Sequence, residues 1–145
     1  MGYGKNVVLA SVAIVIVGQI VHMVGAMLTM QYYVDPDYAG VWSRLMMPAP
    51  GPPPMEFYYV SLALSFAAAL IYVVTYGILK KSIPGKGAVE KGLMYGAILF
   101  MVGSVPGYLA MLELINLPAM LIFEWAAESL VVFLASGLII AKLMK

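Results

Sequence analysis

The chain has 145 residues, of which 63% are hydrophobic and only 10% are charged. A soluble domain carries about 25% charged residues, so this composition indicates an integral membrane protein. The formal net charge of +1 says nothing about nucleic acid, but no basic tract interleaved with aromatic residues is present, so nucleic acid is not expected as a partner. The absence of cysteine excludes disulfides, thiolate metal ligands and a cysteine nucleophile.

Four apolar stretches are each long enough to cross a bilayer, since roughly 20 residues span about 30 Å of hydrocarbon. We predict an all-α, polytopic membrane protein with one four-helix transmembrane domain over 1–145, arranged as an up-down bundle. The first stretch is predicted to be a retained helix, because its apolar run is longer than that of a signal peptide. The predicted helices cover 6–30, 57–79, 92–115 and 117–141, with an outer loop at 31–56.

The basic residues are distributed unequally between the two sides of the predicted bundle. Of the eight, only Arg44 falls on the side of the 31–56 loop. Lysine and arginine near helix ends accumulate on the cytoplasmic side, so both termini are predicted to be cytoplasmic in a multi-pass protein of the cell membrane. The residues on the predicted cytoplasmic side are Lys5, Lys80, Lys81, Lys86, Lys91, Lys142 and Lys145.

The 31–56 loop is rich in aromatic residues and proline. Tyr32, Tyr33, Tyr38 and Trp42 suit the membrane–water interface. A short interfacial helix carrying Trp42 is predicted over 38–47, and the proline run at 48–54, which includes Pro50, is predicted to be extended. The loop is interpreted either as a stiff connector or as a lid or docking surface.

Helix three contains Gly103, Pro106 and Gly107. Pro106 removes a backbone hydrogen bond and is predicted to kink the helix. Gly103 and Gly107 share one face, and we predict that this face packs closely against a neighbouring helix. Packing with a bend is the simpler interpretation, and gating at the kink is the alternative.

Polar side chains from different helices fall at similar depths in the outer half of the predicted bundle. His22 lies roughly 13 Å and Glu128 roughly 16 Å below the outer boundary. Polar groups at such depths usually face the bundle interior or a water-filled cavity, so we predict an outward-facing polar pocket. The predicted ligand- or ion-binding residues are Gln19, His22, Tyr108, Glu124 and Glu128.

Glu124 and Glu128 are spaced i, i+4 and share one helical face. Two such carboxylates in a low dielectric do not both ionise readily without a cation, which leaves a shared proton, a bound ion or pairing with His22. A purely structural Glu–His cluster is the alternative. A metal held by His22, Glu124 and Glu128 is possible, and Met23 with Met27 is a less favoured soft-metal pair. No cofactor is identified.

The second half of the chain contains Tyr95-Gly96, Pro106-Gly107, Leu117-Pro118, Trp125 and Ala135-Ser136-Gly137. In this pattern it resembles small prokaryotic four-helix integral membrane proteins of unknown function. The resemblance covers about 80 residues and rests on a general pattern of residues, not on a specific motif. It implies a four-helix fold and no established activity, so no catalytic residue is assigned.

The favoured functional hypothesis is a non-enzymatic membrane protein whose polar pocket takes a small ligand or ion, as a carrier, a sensor or an accessory subunit of a membrane complex. Its expected partners are the lipid bilayer and either further copies of itself or other membrane subunits. The alternative is a small membrane enzyme that acts on a lipid-soluble substrate with Glu124 or Glu128 as acid/base.

Overall fold

A computed structural model of the protein describes residues 2–49 and 51–144, so Pro50 and Lys145 lie outside the described residues. All regular structure within these ranges is helical, as predicted. The α-helices are α1 (Tyr3–Leu28), α2 (Met30–Val34), α3 (Met55–Leu79), α4 (Ala88–Leu99), α5 (Val105–Leu114) and α6 (Ala119–Leu143). A 3₁₀ helix covers Pro36–Val41, and a π-helical turn at Phe100–Ser104 joins α4 to α5.

Within the described ranges, four helical segments are long and apolar enough to cross a membrane, which confirms that prediction. The third segment starts four residues before the predicted helix. Glu90 in the first turn of α4 complements the positive helix N-terminus, so the polar residues before Gly92 are helical too. The segments are Tyr3–Leu28, Met55–Leu79, Ala88–Leu114 and Ala119–Leu143.

Helix α6 holds the fold together, since it packs most extensively against α4 and α1, and α1 also packs against α3. The Asn6 side chain donates a hydrogen bond to the Leu143 carbonyl over 2.9 Å, so the start of α1 and the end of α6 lie side by side. The main apolar core lies toward this end. It includes Val7, Ala10, Ile14, Ala69, Val73, Tyr76, Tyr95 and Ile140.

Glycines allow α4 and α6 to pack backbone to backbone. A Cβ placed on Gly92 would lie 2.7 Å from the Gly137 carbonyl oxygen, and one on Gly96 would lie 2.8 Å from the Leu134 Cα. Such distances are too short for a carbon side-chain atom, so only glycine fits. Gly92 and Gly96 form a small-residue i, i+4 pair of the kind that brings membrane helices together.

The predicted close packing of Gly103 and Gly107 is wrong. A Cβ on either glycine would meet no atom of the described chain within 4 Å. A kink was predicted at Pro106, and the structure has a π-helical turn at Phe100–Ser104 in its place. In a regular helix the Pro106 ring would clash with the Val102 carbonyl, which the turn avoids. An inserted residue rotates all later side chains by about 100°. The glycines therefore do not continue the face of Gly92 and Gly96.

The predicted helix at 38–47 is also wrong in type and position. A 3₁₀ helix covers Pro36–Val41, and the Asp35 side chain starts it by accepting a hydrogen bond from the Asp37 backbone N–H over 2.9 Å. Gly40 disfavours continuation as an α-helix. Trp42 follows in an extended conformation (φ −73°, ψ 142°), as does Pro54 before α3 (φ −71°, ψ 163°).

Candidate functional site

A histidine–glutamate pair joins α1 to α6. The Nδ1 atom of His22 lies 2.8 Å from Oε2 of Glu128, which is hydrogen-bond distance. The Glu128 carboxyl rests against the backbone of Gly25, because a Cβ at that position would overlap it. Gly25 is one helical turn beyond His22, so α1 supplies both the partner for one carboxyl oxygen and the space for the other.

The two members of the pair differ in exposure. The Glu128 side chain is 11% exposed, whereas the His22 side chain is 54% exposed. Oε1 of Glu128 is buried and has no hydrogen-bond partner among the described residues. An unpaired buried acceptor costs about 1–3 kcal/mol, and more when the group is charged. The pair is therefore half satisfied: Oε2 has a partner and Oε1 does not.

Glu124 lies one turn outward from Glu128 on α6 and is half-buried. In the part of the chain that the structure describes, His22–Glu128 is the only ion pair within 4 Å. Among the described residues, His22 is thus the only basic side chain within 4 Å of either carboxyl group. No group of three or more histidine, aspartate or glutamate residues in 2–49 and 51–144 is arranged to hold a metal ion.

Three aromatic side chains, which we call the aromatic cap, lie beside this pair: Tyr33, Trp42 and Trp125. Tyr33 stacks on Trp42 with ring centroids 4.8 Å apart, and Trp42 meets Trp125 edge-on at 6.2 Å. The Trp125 indole N–H donates a hydrogen bond to the Tyr33 hydroxyl over 3.1 Å. The cap connects α2 and the outer loop to α6.

The Tyr33 hydroxyl accepts its hydrogen bond from Trp125, which lies three residues before Glu128 on α6. Burial raises the pKa of Tyr33, and the two carboxylates raise this pKa further, while hydrogen bonds to Trp125 and Thr29 oppose the shift. The phenol therefore stays neutral near physiological pH and presents a hydroxyl oxygen to the site. Sequence reasoning placed Tyr33 and Trp42 at the interface but did not connect them to the glutamates.

Tyr108 lies apart from the His22–Glu128 pair. Its hydroxyl donates to the Trp125 carbonyl over 3.1 Å and shares a 2.5 Å hydrogen bond with the Ser129 hydroxyl. Ser129 is the neighbour of Glu128 and so points about 100° away around α6. Tyr108 instead lines an apolar crevice of about 130 Å³ between α5 and α6. The similar depth of Tyr108 and the glutamates predicted that they would lie together, but the structure does not bring them together.

The other predicted residues contribute less. Gln19 is half-buried, and none of the side-chain hydrogen bonds among the described residues involves it. Met23 and Met27 are exposed on the outside of α1. A larger open groove of about 590 Å³ lies near the 84–85 turn, lined mainly by apolar residues of α4, and is not part of the site. The structure thus reduces the predicted pocket to a His22–Glu128 pair with Glu124 beside it.

No family model, curated protein or solved structure matches this chain. The resemblance to small four-helix membrane proteins therefore stays a prediction from the residues that carry it.

Proposed function

We propose that this chain is a non-enzymatic integral membrane protein whose outer half binds a small cationic ligand or ion at Glu128. It would act as a carrier, a sensor or an accessory subunit. The observation that carries the proposal is the buried Oε1 atom of Glu128, which has no partner in the described chain. Assembly with further copies or other membrane subunits stays a prediction.

The physical argument starts from the cost of burying a carboxyl group. Ionisable groups at membrane depth are rare, and they mark ion and substrate pathways when they occur. His22 forms a hydrogen bond with Oε2 of Glu128, whereas Oε1 has no partner in the described chain. A positively charged or hydrogen-bond-donating species would provide the missing partner for Oε1. The half-exposed imidazole gives such a species a side from which to reach the pair.

The observed cavities favour binding over turnover of a lipid-soluble substrate. An acid/base glutamate must lie within hydrogen-bond reach of a bound substrate. The groove of about 590 Å³ and the crevice of about 130 Å³ are both lined by other residues. A lipid-soluble substrate in either cavity would therefore not contact Glu124 or Glu128.

The proposal includes an up-down arrangement with both termini in the cytoplasm. Two contacts support it: the Asn6 side chain bonds the Leu143 carbonyl, and the Lys80 ammonium bonds the Met144 carbonyl over 3.3 Å. The start of α1, the end of α6 and the turn after α3 therefore gather at one end of the described chain, together with Lys5, Lys80 and Lys142, which supports a cytoplasmic face by the positive-inside rule.

Orientation is tested with reporter fusions. A reporter after the C-terminus is expected to be cytoplasmic, and one inserted between Gly51 and Pro54 is expected to be on the outer side. Paired enzymatic reporters that work on opposite sides of the membrane measure this directly. An external C-terminus would place the Glu128 site in the cytoplasmic half and overturn the outward-facing part of the proposal.

Binding at Glu128 is tested by thermal melting of the detergent-purified protein against sodium, potassium, ammonium, guanidinium and choline chlorides. At least one cation is expected to raise the melting temperature, since a ligand at 100 times its Kd adds about 2.7 kcal/mol. Glu128→Gln is expected to lose the response, because the amide cannot supply the negative charge.

Glu113→Gln is the matched control, since Glu113 is an exposed glutamate near the outer end of α5. This variant should respond to cations as the unmodified protein does. Equal responses in Glu128→Gln and the unmodified protein would contradict a binding role for Glu128 and leave a structural role in its place.

A further inference from the structure

The open groove of about 590 Å³ runs along α4, far from Glu128 and at the end of the bundle where the lysines lie. Leu93 and Met94 line it and remain 40% and 43% exposed, so the described chain leaves this face uncovered. From Glu90 to Ala97 the groove extends about 10 Å along the helix axis. It therefore starts beside the polar turn before α4 and continues among apolar side chains. Its other lining residues are Pro84, Gly85 and Leu134.

The walls of the groove are fixed by the close approach of α4 and α6. A Cβ on Gly96 would lie 2.8 Å from the Leu134 Cα, so the two backbones touch beside the small side chain of Ala97. The α4 residues of the groove follow the spacing i, i+3, i+4, i+7 and share one helical face. One wall is thus this face of α4, and the other is Leu134 of α6.

The polar end of the groove is formed by a well-anchored turn. Gly85 has φ +135°, and a Cβ there would lie 2.8 Å from the Lys91 backbone nitrogen, so the turn folds against α4 as only glycine permits. Ile83 is buried, and the Lys91 ammonium donates a hydrogen bond to the Lys80 carbonyl over 2.9 Å. The backbone of Lys86, next to Gly85, is therefore held at the mouth of the groove.

The mouth of the groove is positively charged. Lys86 follows Gly85 directly, and Lys81 precedes it in the same turn; both are exposed. Glu90, the one acidic residue of the groove lining, accepts a hydrogen bond from the Lys86 backbone N–H over 2.7 Å, so the turn itself engages this carboxylate. Between residues 80 and 91 four lysines stand against one glutamate, which leaves net positive charge where the apolar groove opens.

We propose that this groove binds an anionic phospholipid, with an acyl chain against Leu93, Met94 and Ala97 and the phosphate beside Lys86. An apolar groove with a basic mouth complements a hydrocarbon chain with an anionic headgroup, and basic pockets between membrane helices on the cytoplasmic side bind such headgroups. A second copy of the chain fits less well. It would share the orientation of the first and bring its own lysines to the same level, where like charges oppose association.

The headgroup is tested with the full-length protein in detergent. Native mass spectrometry measures the binding of dioleoyl phosphatidylglycerol and dioleoyl phosphatidylcholine, which share their chains and differ in headgroup charge. The anionic lipid is expected to bind more tightly. Lys86→Gln is expected to reduce this preference about fivefold, the contribution of one lysine beside an anionic lipid. Lys142→Gln is the matched control, since Lys142 is an exposed lysine at the same end of the bundle but outside the groove, and it should keep the preference.

The acyl-chain part is tested by filling the groove. Ala97→Phe places a ring where the chain would lie and is expected to abolish preferential binding of phosphatidylglycerol, although every lysine is retained. Ala110→Phe is the matched control, because Ala110 is exposed on α5 and lines neither the groove nor the crevice. If Ala97→Phe does not fold, the headgroup preference and the two lysine variants decide.

Equal affinity of the unmodified protein for the two lipids would overturn the proposal, and that measurement needs no variant. Equal losses in Lys86→Gln and Lys142→Gln would also overturn it, because they would indicate diffuse attraction to the lysine-rich end. If Ala97→Phe binds phosphatidylglycerol fully but loses a dimer that the unmodified protein forms, the groove belongs to a second copy. This inference does not depend on Glu128, so its failure leaves the proposed function unchanged.

Discussion

Gly137→Ala is expected to be the most destabilising single-methyl substitution in the chain. A Cβ on Gly137 would overlap the carbonyl oxygen of Gly92 and lie 2.8 Å from the backbone nitrogen of Gly96. Backbone atoms cannot move aside as side chains do, so α4 and α6 would have to separate. Overpacking costs about 1–3 kcal/mol, and a contact limited by backbone should lie at the upper end. Thermal melting in detergent, read by size-exclusion fluorescence, measures the loss.

Gly103→Ala and Gly107→Ala are the matched controls, since a Cβ at either position meets no described atom within 4 Å. Alanine is favoured over glycine in a helix by about 0.5–1 kcal/mol, so both variants should melt at or above the temperature of the unmodified protein. A loss at Gly103 as large as that at Gly137 would mean that the π-helical turn at Phe100–Ser104 packs closely on another helix, contrary to the structure.

Gly25→Ala is expected to weaken ligand binding while leaving the fold intact. The added Cβ would overlap the Glu128 carboxyl, but that carboxyl is the far end of a flexible side chain and can swing away. The rotation would break the 2.8 Å contact with His22 and move Oε1 from its place between the helices. Cation affinity should fall at least about tenfold, which corresponds to about 1.4 kcal/mol.

Gly18→Ala provides the control on the same helix. A Cβ on Gly18 would lie 3.9 Å from a Val132 methyl, an ordinary van der Waals contact, so cation binding should be unchanged. Melting curves of ligand-free protein should be similar for both variants. If Gly25→Ala keeps full cation affinity, the position of the Glu128 carboxyl against α1 is not what creates the site, and a structural role for the pair would remain.

Much of the fold follows from the sequence, for a simple reason. A bilayer requires about 20 apolar residues per crossing and backbone hydrogen bonds satisfied within each segment, so hydropathy predicts the four long helices. Helical rise also assigns each residue a depth. A rise of 1.5 Å per residue predicts similar membrane depths for His22 and Glu128, and in the structure these two side chains are paired.

Rotation of one helix against another was decided only by the tertiary structure. Two glycine pairs in the third segment have the same i, i+4 spacing, yet Gly92 and Gly96 contact α6 while Gly103 and Gly107 face outward. The same ambiguity placed Tyr108 with the glutamates, although it bonds Ser129 on another side of α6. In lipid every apolar face is equally well solvated, so hydropathy cannot choose between them. The π-helical turn before Pro106 sets the rotation of α5. The close approach of α4 and α6 and the folding of the outer loop onto Trp125 make the rest of that choice, and both depend on contacts between residues distant in sequence.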